Sequence, residues 1–242
     1  MTRPVALVTG AGQGIGAQTA RTLSASGYIV VRSDRSDAST WEDVEGAANL
    51  GFSLDVTDPQ ACADAVAGVT AEYGGLNVLV NCAGIVVRAP AEEYSLEAWN
   101  KVLNVNLTGT FLMCQAAFVA LADADDAAIV NVASANGHIA VHNTVAYCVS
   151  KAGVIHLTRV LALEWAGSGI RVNSVGPTIV PTGMTEDVRG MTDYMRDKLA
   201  TIPLGRMATS TDVADSIAFL ASPAAGMVTG QTLFIDGGAT IR

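Results

Sequence analysis

Positive charge is scarce in this 242-residue chain: Lys and Arg total 14 against 23 Asp and Glu, a formal net charge of −9. No basic run occurs. Nucleic acid needs clustered cations to displace its counterions, and an anionic membrane surface needs the same, so neither is expected as a partner. No uninterrupted apolar stretch approaches the roughly 20 residues of a membrane helix. No signal-peptide pattern precedes the short apolar run Val5–Val8. The four cysteines, Cys62, Cys82, Cys114 and Cys148, form no C-x-x-C pair, and none stands at zinc-site spacing from a histidine. Buried, reduced thiols in a cytoplasmic protein without a metal are the expectation. Lysine is rarer still, with only Lys101, Lys151 and Lys198. A lysine that falls inside a motif is therefore informative.

Half of the residues are hydrophobic and 15% are charged, which excludes a disordered or collagen-like chain. The length suits one domain over residues 1–242, with a single substantial core. Val5–Thr9, Ile29–Ser33, Gly51–Val56, Val78–Asn81, Ala128–Ala133, Ile170–Val175 and Thr232–Ile235 read as strands. Their near-continuous apolar character fits a parallel sheet covered on both faces. Helical spacing runs through Ile15–Ser26, Leu96–Leu121 and Thr144–Ala166. Asp58-Pro59 opens another helix, and Thr209-x-x-Asp212 caps one over Val213–Ala221. The alternation predicts an α/β fold: a Rossmann-like, doubly wound parallel sheet of about seven strands with helices on both faces. Asp34–Leu50 is polar, with at most one poor helix. Gly176–Ile202 holds two prolines and three glycines and reads as a long binding loop or lid.

The first strand runs into Thr9-Gly10-Ala11-Gly12-Gln13-Gly14-Ile15-Gly16, with a helix after it. Gly10, Gly14 and Gly16 form G-x-x-x-G-x-G, and Gln13 and Ile15 complete the turn. Glycine lets backbone approach closely, and the helix start offers free N–H groups and a positive dipole end to a dinucleotide pyrophosphate. Asp34 closes the second strand, where a carboxylate accepts from adenosine ribose hydroxyls and repels an extra 2′-phosphate. Arg32 and Arg35 flank it and could hold that phosphate instead. The balance favours NAD over NADP.

Tyr147 and Lys151 are spaced i, i+4, so they share one helix face. An ammonium beside a phenol favours the phenolate and makes it a usable general base. With five Tyr and three Lys in 242 residues, chance would supply this spacing about 0.06 times. Ser134 ends a strand and Asn106 lies within Leu96–Leu121; a hydroxyl and an amide can orient a substrate oxygen and a relay water. Read singly, each is also an ordinary cap or helix residue. Asn136, His142, Asn143 and Thr144 surround this group and are candidates for a pocket that matches substrate hydroxyls.

Thr9–Gly16, Asn81-Cys82-Ala83-Gly84, Asn106, Ser134, Tyr147-x-x-x-Lys151 and Gly230…Asp236-Gly237-Gly238 together resemble the short-chain dehydrogenase/reductase family. The resemblance spans essentially the whole chain. It implies Tyr147 as acid/base, Lys151 as its partner and holder of the nicotinamide ribose, Ser134 as the group polarising the substrate oxygen, and Asn106 as holder of a water that relays protons to Lys151. It further implies that Asp55 and Val56 contact adenine, that Asn81, Ala83 and Gly84 line the cofactor cleft, and that the Ile179 backbone holds the carboxamide. Cys82 stands where the family usually has Asn. Gly176-Pro177-Thr178-Ile179-Val180 replaces the usual Pro-Gly and looks like the L-xylulose reductase and polyol dehydrogenase branch. L-xylulose reductase favours NADPH, which Asp34 contradicts here.

The expected activity is NAD-dependent interconversion of a secondary alcohol, in the polyol or sugar-alcohol class, and its ketone. A 3-oxoacyl-[acyl-carrier-protein] reductase shares these motifs. A basic patch beside the site would mark it, and Arg88, Arg189, Arg196 and Lys198 are its scattered candidates. A non-catalytic dinucleotide sensor is the third alternative. The family resemblance also implies a homotetramer.

Overall fold

The computed structural model describes residues 3–41 and 51–241. Seven strands, β1 (Val5–Thr9), β2 (Ile29–Asp34), β3 (Gly51–Ser53), β4 (Val78–Asn81), β5 (Ala128–Val132), β6 (Arg171–Pro177) and β7 (Thr232–Ile235), form one sheet in the order β3-β2-β1-β4-β5-β6-β7. Every pairing is parallel. The expected α/β class is the observed one.

Both faces are covered. On one side α1 (Gly14–Ala25) and α8 (Ser210–Ala221) bury Ala17, Ala20, Leu23, Val213, Ile217 and Leu220 against Val8, Val80 and Val130. On the other, α2 (Pro59–Tyr73), α4 (Gly109–Ala122) and α5 (Val145–Trp165) bury Val66, Met113, Leu121 and Leu161 against Leu7, Leu79 and Ile129. Leu96–Ala122 and Val145–Ser168 are long and apolar enough, by length and composition, to cross a membrane. Both segments pack on the sheet here, as core helices do.

Local chemistry sets the boundaries. Asp58 caps α2 by accepting from the Gln60 and Ala61 N–H groups, with Pro59 in the first turn. Thr209 and Asp212 form the expected reciprocal capping box on α8.

Four expectations shift. The third strand stops at Ser53, because Asp55 and Thr57 turn the chain there. The sixth continues to Pro177, where a strand end tolerates the missing N–H. The single helix expected over Leu96–Leu121 is α3 (Leu96–Leu103), a π-helical turn at Asn104–Thr108, and then α4. Gly176–Ile202 is less irregular than expected, since α6 (Glu186–Arg189) and α7 (Thr192–Ala200) fold within it. The later part of the Asp34–Leu50 segment lies outside the described residues.

Candidate active site

The strand order reverses between β1 and β4, and a cavity of about 470 Å³ opens at their carboxyl ends. That is where ligands bind in open α/β sheets. Gln13, Gly14, Ile15 and Gly16 line it. Gly10 has φ +61°, and a Cβ there would lie 2.6 Å from the Ala83 nitrogen, so only glycine lets the turn sit against the chain leaving β4. A Cβ on Gly16 would strike the Gly10 carbonyl. The start of α1 is thereby drawn tight against the turn.

Asp34, Asp55 and Val56 line the same end. Asp34 Oδ2 accepts from the Gly12 N–H at 3.1 Å, and Oδ1 accepts from the Ser36 N–H and hydroxyl at 3.0 and 2.9 Å. Hydrogen bonds from Thr57 hold the Asp55 carboxyl below the usual carboxylate range. The flanking arginines part company. Arg32 is buried, donates to the Ala11 carbonyl at 3.1 and 2.8 Å, and lies 5.1 Å from the Trp41 ring centroid. Arg35 lines the cavity beside Asp34.

Ser134, Tyr147 and Lys151 line the opposite end, with Pro177 and Thr178. The Lys151 ammonium donates to the Val132 carbonyl at 2.7 Å and stands 5.8 Å from the Tyr147 ring centroid. Burial lowers its pKa to about 8. Burial also raises the Tyr147 phenol above its ordinary 10; the Ser134 hydrogen bond and the Arg88 charge pull it down only in part. The net shift of the phenol is thus upward, against the expected lowering, because desolvation outweighs the groups that pull it down.

A family model described as enoyl-(acyl carrier protein) reductase matches residues 10–240. The chain belongs to the short-chain dehydrogenase/reductase family. It is 44% identical to a D-threitol dehydrogenase of Mycolicibacterium smegmatis, across 98% of this chain and 93% of that one. It is 37% identical to an NAD-dependent glycerol dehydrogenase of Listeria innocua, across 100% and 96%. A solved structure of a candidate NAD(P)-dependent gluconate 5-dehydrogenase from Beutenbergia cavernae, with NADP bound at low occupancy, superposes with a TM-score of 0.92 at 36% identity, covering 100% of this chain and 98% of that one.

Within this short-chain dehydrogenase/reductase, other expected site residues take different positions. Asn106 is fully buried in the π turn. Its Oδ1 accepts from the Ile85 N–H at 2.8 Å, while Nδ2 donates to the Ile85 carbonyl at 2.9 Å and to Ser150 Oγ at 3.0 Å. Those bonds occupy the amide, so it has no side-chain donor left for a relay water. Asn81 lies outside the cavity lining. Its Nδ2 donates to Asn131 Oδ1 at 2.9 Å and to Cys114 Sγ at 3.3 Å, because β4 directs that side chain beneath the sheet. Ala83 and Gly84 do line the cavity, as does Cys82, whose thiol burial pushes up to about 12, unsuited to a nucleophile.

A recess adjoins the cavity at Tyr147, and Asn136, Thr144 and Ile179 line it. The Thr144 hydroxyl donates to the Val141 carbonyl at 2.8 Å. His142 and Asn143 lie outside the recess, exposed on the loop surface. Asn143 adopts φ +60°, and its carbonyl accepts from the Ala89 N–H at 3.1 Å, so it braces the loop. Arg88, Met184, Thr185 and Lys198 also line the recess. No motif marks them; of the four scattered cations named in the sequence, Arg88, Arg189, Arg196 and Lys198, the recess gathers Arg88 and Lys198.

Proposed function

We propose that this chain is an NAD-dependent dehydrogenase that interconverts a secondary alcohol of the polyol or sugar-alcohol class and the corresponding ketone. The observation that carries the reading is the convergence of Ser134, Tyr147 and Lys151 on one end of a cavity whose other end is the glycine turn with Asp34. A nicotinamide dinucleotide suits these residues. The glycine turn leaves room where a Cβ would clash, and Asp34 and Asp55 offer acceptors to ribose hydroxyls and adenine. The Thr178 hydroxyl is buried without a hydrogen-bond partner where cavity and recess meet. The relatives that act on threitol and glycerol support the substrate class.

When bound, the coenzyme supplies the hydride acceptor. Tyr147 takes the hydroxyl proton of the substrate as the carbinol C–H leaves with its electron pair, and the carbon becomes a carbonyl. Ser134 orients the reacting oxygen. Lys151 keeps two donors beyond its bond to Val132, enough to hold ribose hydroxyls and favour the phenolate. The segment containing α6 and α7 closes over the substrate. The same reading includes a cytoplasmic location, in keeping with four unpaired thiols, and a homotetramer. Exposed Phe111, Val119, Val149, Val160 and Leu163 on α4 and α5 support self-association.

Tyr147→Phe tests the assignment. NADH formation from an alditol is expected to vanish while coenzyme binding, read by NADH fluorescence, survives; an unchanged rate would overturn it.

A further inference from the structure

The recess beside Tyr147 is lined by two cationic side chains. Its lining includes Arg88 and Lys198 and no Asp or Glu, in a chain with a net charge of −9. The two cations come from different walls: Arg88 from the loop after β4, Lys198 from α7. Arg88 is held from two sides. The neighbouring Ala89 N–H donates to the Asn143 carbonyl at 3.1 Å, on a residue in the left-handed region, φ +60°, that asparagine tolerates. Arg88 Nη1 itself donates to Asp187 Oδ2 on α6 at 2.7 Å. Among the described residues, the rest of the guanidinium has no protein acceptor. The Tyr147 phenol also responds to this charge, which pulls its pKa down against burial. Arg88 is therefore within electrostatic reach of the reacting oxygen.

A planar guanidinium with donors to spare matches a carboxylate in a paired, charge-assisted geometry. An uncharged polyol offers it only hydroxyl oxygens. We propose that Arg88, with Lys198, binds a carboxylate on the end of the substrate remote from the reacting carbinol, so that among polyhydroxylated substrates those bearing a terminal carboxylate are preferred to neutral polyols. This rests on the dehydrogenase reading and narrows it. Asp187 then acts as a competitor: it occupies Nη1 in the free enzyme and weakens the hold of Arg88 on an incoming anion.

The experiment measures kcat/KM with NAD for an alditol, the aldonate of the same chain length and stereochemistry, and the matching terminal phosphate ester. The aldonate is expected to exceed the alditol at least tenfold. Arg88→Gln is expected to reduce that ratio tenfold or more, Arg88→Lys to reduce it less, and Asp187→Asn to raise it. Opposite shifts from Arg88→Gln and Asp187→Asn separate anion recognition from a clasp that merely fastens the lid, since breaking a clasp from either side shifts all substrates alike. Equal turnover of aldonate and alditol, parallel effects of the two variants, or preference for the phosphate ester over the aldonate would overturn the proposal while the dehydrogenase reading stands. Absence of turnover on every alcohol would instead overturn that reading, and the proposal with it.

Discussion

Asn106 Nδ2 donates to Ser150 Oγ at 3.0 Å and ties the π turn to the helix that carries Tyr147 and Lys151. The same amide clasps both backbone groups of Ile85. Asn106→Ala removes these three bonds and leaves buried groups unpaired, at an expected cost of about 2–4 kcal/mol in unfolding free energy. Denaturant unfolding measures this. A loss below about 0.5 kcal/mol would show that water replaces the amide.

The pH profile of alcohol oxidation follows from the raised Tyr147 phenol. In the proposed mechanism the phenolate is the base, and its fraction grows as pH climbs toward a pKa above 10. Oxidative kcat/KM is therefore expected to rise from pH 7, less steeply once Lys151, with its pKa at about 8, loses the charge that favours the phenolate, while the reverse reduction, which needs the protonated phenol, weakens over the same range. A flat oxidative profile would contradict the assignment.

Lys151 exchanges stability for chemistry. Its folded pKa is lowered to about 8 from 10.5, so the native state loses its proton first and stability from this group increases as pH rises between those values. Lys151→Met should remove that dependence and abolish turnover. The gap sets an upper limit of roughly 3 kcal/mol, and the lost bond to Val132 returns about 1 kcal/mol. A net gain of about 1–2 kcal/mol at pH 7 is expected from thermal or denaturant unfolding. Destabilisation would mean that the amine is better satisfied than its burial implies.

The proposed preference for NAD assigns coenzyme choice to Asp34. Asp34→Ser takes away the carboxylate beside Arg35, leaving a cation where a 2′-phosphate would lie. The ratio of kcat/KM for NADP to that for NAD is expected to climb at least tenfold. A ratio that stays put would assign the preference to another residue.

Much of this was legible in sequence because it rests on local rules. Buried parallel strands read as apolar runs, the Tyr147 and Lys151 spacing forces one helix face, and Asp58-Pro59 and Thr209-x-x-Asp212 announce helix starts. The π turn at Asn104–Thr108 was not legible, since its alternating polar and apolar residues, with Val105 and Leu107 between Asn104, Asn106 and Thr108, carry no signature of a slipped hydrogen-bond register. Nor was the fate of Asn81 and His142. Strand register sends one beneath the sheet, and a loop leaves the other exposed, and neither is a property of nearest neighbours. The direction of the Tyr147 shift also depends on burial, which a four-residue motif does not encode.

All six strand pairings run the same way, so every group assigned a chemical task gathers at one rim of the sheet. The far rim, where Asn77 bridges Val5 and Asp125, only braces the scaffold. Loops there can be lengthened, recut or fused to other proteins at little catalytic risk, whereas comparable surgery at the first rim would rewrite what the enzyme accepts.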